Sequence, residues 1–118
     1  MQRIAFFLLI CSFSASAMTG NELLALVTSS DMDKKFQGIR YIEGYRDAVI
    51  TSKYFEEELA KEMKRAPNLH THACIPQGVK NGQILDVVKL HLQNNPSFRH
   101  EDAAAQVHLS LITAWPCN

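Results

Sequence analysis

The sequence predicts an all-α fold: a small single-domain helical bundle of four to five helices, stapled by one disulfide. Three observations predict it. Apolar residues recur at three- and four-residue spacing in separate stretches. Asn, Gly or Pro punctuates the chain between them. Two cysteines, Cys74 and Cys117, remain once an N-terminal leader is set aside.

The leader comes first because composition is read without it. Arg3, the apolar run Ile4 to Cys11 and then Ala15-Ser16-Ala17 have the three parts of a secretory signal. Residues 1–17 are therefore expected to be a signal peptide cleaved after Ala17, leaving the domain 18–118. The apolar run is too short to span a bilayer, so no membrane attachment is expected after cleavage. Lipidation at Cys11 is disfavoured, because Ile10 is larger than the small residue that should precede a lipidated cysteine.

The whole chain carries 12 basic and 12 acidic residues, and losing Arg3 leaves the mature part close to neutral. That excludes a basic nucleic-acid surface and an acidic tail. Cys11 departs with the leader, so Cys74 and Cys117 form an even pair in an oxidising compartment. A bridge between them is worth about 4 kcal/mol in the loop-entropy model, against roughly 5 to 15 kcal/mol for a domain's net stability. The competing reading is a reactive thiol or a metal ligand.

Taken in order, Thr19 or Asn21 is placed to cap a short first helix with Leu23, Leu24 and Val27 facing inward. Thr28 to Asp33 breaks it. A second helix from Lys34 carries Phe36, Ile39, Ile42, Tyr45, Val49 and Ile50 on one broad face. Gly38 and Gly44 each cost about 1 kcal/mol relative to Ala there, which points either to close packing against another backbone or to a weak helix. Phe55 to Arg65 reads as a separate exposed helix, with Glu57, Glu58, Lys61 and Glu62 on a solvated face and Leu59 and Met63 as a narrow apolar edge. Ala66 to Ala73 reads as a surface loop, because Pro67 and Asn68 stop the helix.

The stretch Cys74 to Pro96 organises the remainder. Pro76 and Gly78 suggest a type I turn, and Asn81 is the expected N-cap of a central helix. Ile84, Val87, Val88 and Leu92 form its apolar stripe, widened by Leu85, until Asn94, Asn95 and Pro96 stop it. Ser97 can cap a last helix with Glu101 and Asp102 in its first turn and Ala104, Val107, Leu111 and Trp115 inward. Pro116 ends that helix. Cys117 then lies in place to tie its end to the turn before the central helix.

No catalytic constellation emerges. His70, His72 and Cys74 alternate, but a zinc site would need Cys74 reduced, so no metal is expected and these histidines read as solvated loop residues. His91, His100 and His108 fall at spacings that do not converge. Glu43 and Asp47 with Arg40 and Arg46 make an ion-pair surface. With no nucleophile motif and no phosphate-binding glycine loop, the residues point to a binding protein without cofactor rather than an enzyme.

Several motifs together resemble a known family. Thr19-Gly20-Asn21-Glu22-Leu23-Leu24, Tyr41-Ile42-Glu43-Gly44-Tyr45-Arg46-Asp47-Ala48, Cys74-Ile75-Pro76-Gln77-Gly78-Val79 with Gln83 and Val87-Val88, Asn95-Pro96 with Arg99-His100, and Trp115-Pro116-Cys117 look like the successive motifs of the Rap/Tai family of type VI secretion immunity proteins. The resemblance implies a periplasmic, all-helical, disulfide-containing protein, often a homodimer. It would bind a cognate peptidoglycan amidase effector and block its active site, protecting against self or sibling intoxication. The chain departs from the pattern in three ways. It lacks the further cysteines around the first two helices, Lys80 stands where Ser or Thr usually opens the central helix, and Thr51 to Ala73 matches no motif. Partner contacts are expected in that last segment, from Tyr54, Phe55, Arg65, Asn68, His70 and His72. A second class competes: a periplasmic acid-stress chaperone that opens at low pH and exposes its core.

Overall fold

The computed structural model describes residues 16–117. Residues 1–15, which hold most of the expected signal peptide and Cys11, lie outside the described residues. Four α-helices are present among the described residues: α1 (Gly20–Val27), α2 (Met32–Glu62), α3 (Asn81–Asn94) and α4 (Ala103–Ala114). Each touches the other three. A one-turn 3-10 helix, Pro96–Phe98, joins α3 to α4, and extended pairing is confined to two isolated antiparallel bridges, Thr19 with Asp102 and Ala73 with Pro116.

Helix α1 is too short to persist alone and is held at both ends. Of the two candidate caps, Thr19 is used. Its hydroxyl accepts the Glu22 N–H at 3.3 Å while the Glu22 carboxylate accepts the Thr19 N–H at 2.7 Å, a reciprocal capping box. The other free N–H groups of the first turn are met from outside the helix: Gly20 N–H donates to the Glu101 carbonyl at 2.9 Å and Asn21 N–H to the Arg99 carbonyl at 2.7 Å. A Cβ on Gly20 would lie 3.1 Å from that Arg99 carbonyl oxygen and 3.1 Å from Leu92 Cδ2, so the missing side chain is what admits the contact. At the other end Thr28 returns a hydroxyl hydrogen bond of 2.7 Å to the Leu24 carbonyl.

Asp31 caps α2 by accepting the Asp33 N–H at 2.9 Å, and the helix then runs 31 residues to Glu62. The expected break between a second and a third helix does not occur. Nothing from Thr51 to Tyr54 is a Gly or Pro, so the ladder of hydrogen bonds continues through the place where the apolar stripe weakens. The stripe itself is narrower than its sequence suggests. Gly38, Ile42 and Val49 are buried, Ile39 and Tyr45 are half-buried, and Phe36 and Ile50 are exposed. A helix about 46 Å long overshoots three much shorter partners, and beyond Val49 only Ala60 is buried. The end is a Schellman turn: Arg65 N–H donates to the Ala60 carbonyl at 3.0 Å and Lys64 N–H to the Lys61 carbonyl at 3.1 Å, with Lys64 at φ 52°.

The two α2 glycines have different roles. At Gly38 a Cβ would sit 2.7 Å from Val27 Cγ1 and 3.0 Å from Leu26 Cβ, so α1 and α2 meet there in direct contact. Gly44 has nothing within 4 Å of its Cβ position.

The N-cap of helix α3 is Lys80 rather than Asn81. Lys80 has no side-chain acceptor, and only half a capping box forms, with Gln83 Oε1 accepting the Lys80 N–H at 3.0 Å. Asn81, freed from capping, donates from Nδ2 to Glu43 Oε1 at 3.0 Å and accepts from Arg46. The α4 cap is Asp102 rather than Ser97, because Pro96–Phe98 is taken up by the 3-10 turn; Ala103 N–H donates to the Met18 carbonyl at 2.8 Å instead of to a side chain. The core consists of Leu23, Val27, Ile42, Val49, Ile84, Val88, Leu92, Ala103, Val107 and Leu111, with Ala73 alone from outside the helices. Leu24, Tyr45 and Trp115 pack against it partly buried, and Val87, expected inward, is half-buried and not part of this cluster. Gln106 is buried but satisfied, accepting from His91 Nε2 at 3.1 Å and donating to Glu101 at 3.4 Å.

Cys74 and Cys117 are joined, with Cα atoms 5.0 Å apart and a sequence separation of 43. The thiol and metal-ligand readings of Cys74 are thereby excluded. Cys74 N–H also donates to the Trp115 carbonyl at 2.8 Å.

Two substitutions test the packing. Gly38→Ala should destabilise by about 1 to 3 kcal/mol because its methyl overlaps Val27, whereas Gly44→Ala should stabilise by about 0.5 to 1 kcal/mol. Urea unfolding of both variants reads the contrast, and equal shifts would refute it. Lys64→Gly should likewise raise stability by about 1 kcal/mol by relieving the left-handed conformation.

Candidate functional site

From Met63 to Lys80 the chain is a strap that leaves the end of α2, crosses to the end of α4 and returns to the start of α3. The first clasp on it is electrostatic. Arg65 grips Glu56 with both guanidinium ends, Nη1 to Oε1 at 2.7 Å and Nη2 to Oε2 at 3.2 Å, and Asn68 N–H donates to the same Oε1 at 2.6 Å. These hydrogen bonds, Arg65's first and Asn68's second, hold the Glu56 carboxyl down at about 2. The second clasp is the disulfide with the Ala73–Pro116 bridge. After it, Gly78 at φ 90° turns the chain, with Val79 N–H donating to the Pro76 carbonyl at 3.3 Å. A positive φ at the third residue makes this turn type II rather than type I.

The strap and the exposed half of α2 enclose a groove of about 520 Å³. One wall is Arg46, Ile50, Lys53, Tyr54 and Glu57 from α2; the other is Ala73 to Val79; Ile84 of α3 closes it. Its charges are matched internally, Lys53 with Glu57 at 2.6 Å and Arg46 with Asp47 and Asn81. A second groove of about 370 Å³ lies between Tyr45, Ala48, Val49 and Ser52 of α2, Thr71 and His72 of the strap, and His108 of α4. There the Tyr45 and His108 rings meet edge to face, with centroids 6.1 Å apart.

The six residues expected to contact a partner are dispersed by this arrangement. Tyr54 and Phe55 stand exposed on α2 with ring centroids 5.8 Å apart, Tyr54 on the wall of the first groove. Arg65 and Asn68 are occupied in the Glu56 clasp. His70 is exposed on the strap, and His72 lines the second groove instead. The sequence reading undervalued Leu59 and Met63, which with Phe55 form an i, i+4, i+8 stripe exposed by 48%, 61% and 64% respectively. Their spacing was visible. That no other element covers them was not. Among the described residues no group of three His, Cys, Asp or Glu side chains is gathered as a metal site, and no helix is long and apolar enough to cross a membrane.

The second half of α2 thus leaves a bare apolar face, Tyr54, Phe55, Leu59 and Met63, beside the strap. The family model of the Rap1a immunity proteins matches residues 19–117, nearly all of the described chain. The chain belongs to the Rap1a immunity protein family. No curated protein and no solved structure matches it. For a Rap1a-family member the action to explain is binding to a cognate effector, and the motifs Tyr41 to Ala48 and Cys74 to Val79 meet at the first groove through Arg46 and the strap.

The Glu56 clasp carries a pH signature. Its folded pKa lies below the usual 4.5, so its contribution is complete above that value and is lost as pH falls toward about 2. The protection of the Asn68 amide, its exchange rate relative to the intrinsic rate at the same pH, should therefore be steady at neutral pH and fall between about pH 5 and 2. Glu56→Gln should have lost that protection already at neutral pH, with the acid limb removed. An unchanged profile in the variant would assign the protection elsewhere.

Proposed function

We propose that the protein is a periplasmic immunity protein that binds a peptidoglycan amidase delivered by a type VI secretion system and blocks its active site. Family membership over residues 19–117 supports the immunity role, and the leader at residues 1–17 with a disulfide in the mature chain supports an oxidising compartment. The observation that carries the contact surface is the uncovered second half of α2, which presents Tyr54, Phe55, Leu59 and Met63 beside the strap. Aromatic side chains on a rigid helix bind at little cost in conformational entropy, and truncating such anchors typically costs about 2 to 4 kcal/mol of affinity. Arg65 and Asn68 act behind them, holding the strap in place, while His70 and His72 border the surface from the strap. A second copy of the chain would compete for the same apolar face, giving a homodimer.

The test is co-expression of the protein with its cognate amidase in the periplasm. The parent should protect cells, and Tyr54→Ala/Phe55→Ala, folded by circular dichroism, should bind at least about 30-fold more weakly and protect poorly. Full protection by the folded double variant would move the interface elsewhere. A parent that binds no amidase would end the amidase reading.

A further inference from the structure

We propose that the Cys74–Cys117 bond is a redox gate on the partner-binding face: its reduction releases the strap and opens the first groove while leaving the four-helix core assembled. The inference rests on the contact surface proposed above, and its first readouts are independent of any partner.

One wall of the groove, Ala73 to Val79, belongs to the strap, and the strap meets α4 through the disulfide, the Cys74 N–H to Trp115 bond and the isolated Ala73–Pro116 bridge. A single bridge pair is too little pairing to hold an extended segment unaided. The buried core, in contrast, takes only Ala73 from the strap, with Ile75 and Val79 packed partly buried against its edge, and all four helices contact one another directly. Cutting the bond therefore removes a wall of the site without removing a layer of the core. Cys74 lines the groove and both cysteines are only half-buried, so a small dithiol can reach them. One thiolate of the dithiol attacks a sulfur of the bond and the mixed disulfide is resolved by its second thiolate. Cys74 and Cys117 take up protons as thiols, and the two electrons leave the dithiol as a cyclic disulfide. Before export, in a reducing compartment, the strap is free and the groove unformed; oxidation after export completes the face.

The experiment compares the oxidised mature protein, the same protein in a dithiol reductant, and Cys74→Ser/Cys117→Ser. Far-UV circular dichroism should be nearly unchanged across the three. The emission of Trp115, the only tryptophan, should shift to the red on reduction, and trypsin should cut at Lys80, at the end of the released wall, at least about tenfold faster. Binding of the amidase should weaken at least about tenfold in both open forms. Unchanged tryptic rates and emission, equal binding, or loss of the helical signal on reduction would each overturn the gate, the last by making the bond a staple of the whole fold. If no form binds the amidase while trypsin still discriminates oxidised from reduced, the amidase reading fails and the release of the strap stands.

Discussion

Two missing side chains hold this molecule together. Helix α1 is eight residues long and lies against the other three helices, and it reaches them through glycine at each side. At Gly20 the backbone of Arg99 and the Leu92 methyl come in closer than a Cβ ordinarily allows; at Gly38 the α2 backbone meets Val27 and Leu26. Because α1 cannot sustain itself, its helicity is a consequence of burying Leu23 and Val27 and of donating its first N–H groups to the Glu101 and Arg99 carbonyls. The same contacts anchor the α3–α4 connection. One small helix thus sets where all the others sit.

Once the core is closed around α1, the length of α2 decides the functional layout. Its first half completes the core and its second half has no helix left to pack on. Ionic side chains make the overhang soluble: Lys53 with Glu57, Lys61 with Glu58, and Glu56 with Arg65. Surface pairs of this kind add little stability, but the Glu56–Arg65 pair differs because a backbone N–H joins it and a chain reversal depends on it. The strap that results is tied to α2 by charge and to α4 by a covalent bond. From the second tie onward, Ala73 to Val79, it walls a recess beside the exposed Tyr54. An inhibitor of another protein needs no more chemistry than this: a rigid anchor and a shaped border.

The boundary between legible and illegible runs through particular residues. Thr19, one of two candidate caps of α1, Pro96 after α3 and Pro116 after α4 announce helix ends because capping and proline sterics are local effects, whereas the Asp31 cap fell inside a stretch expected to be a break before Lys34. The Cys74–Cys117 pairing followed from counting, since two cysteines in an oxidising compartment leave one intramolecular choice. The caps of α3 and α4 were misplaced, at Asn81 and Ser97, because each competes with a non-local use of the same residue. Asn81 is claimed by Glu43 and Arg46, and Ser97 by the 3-10 turn. Phe36 and Ile50 were assigned inward on periodicity that nothing in space completes.

What the sequence by itself determined is the all-helical fold, the inward residues near the middle of α1, α3 and α4, the bridge and, through its ordered motifs, the family. These follow from interactions within a few residues or from chemistry that admits one partner. Only the tertiary structure decided that α2 is one helix with an uncovered half, that Gly38 is a contact and Gly44 is not, and that Arg65 and Asn68 serve Glu56 while Tyr54 and Phe55 stand free. Exposure is a property of what lies opposite a side chain. No stretch of one helix specifies that alone.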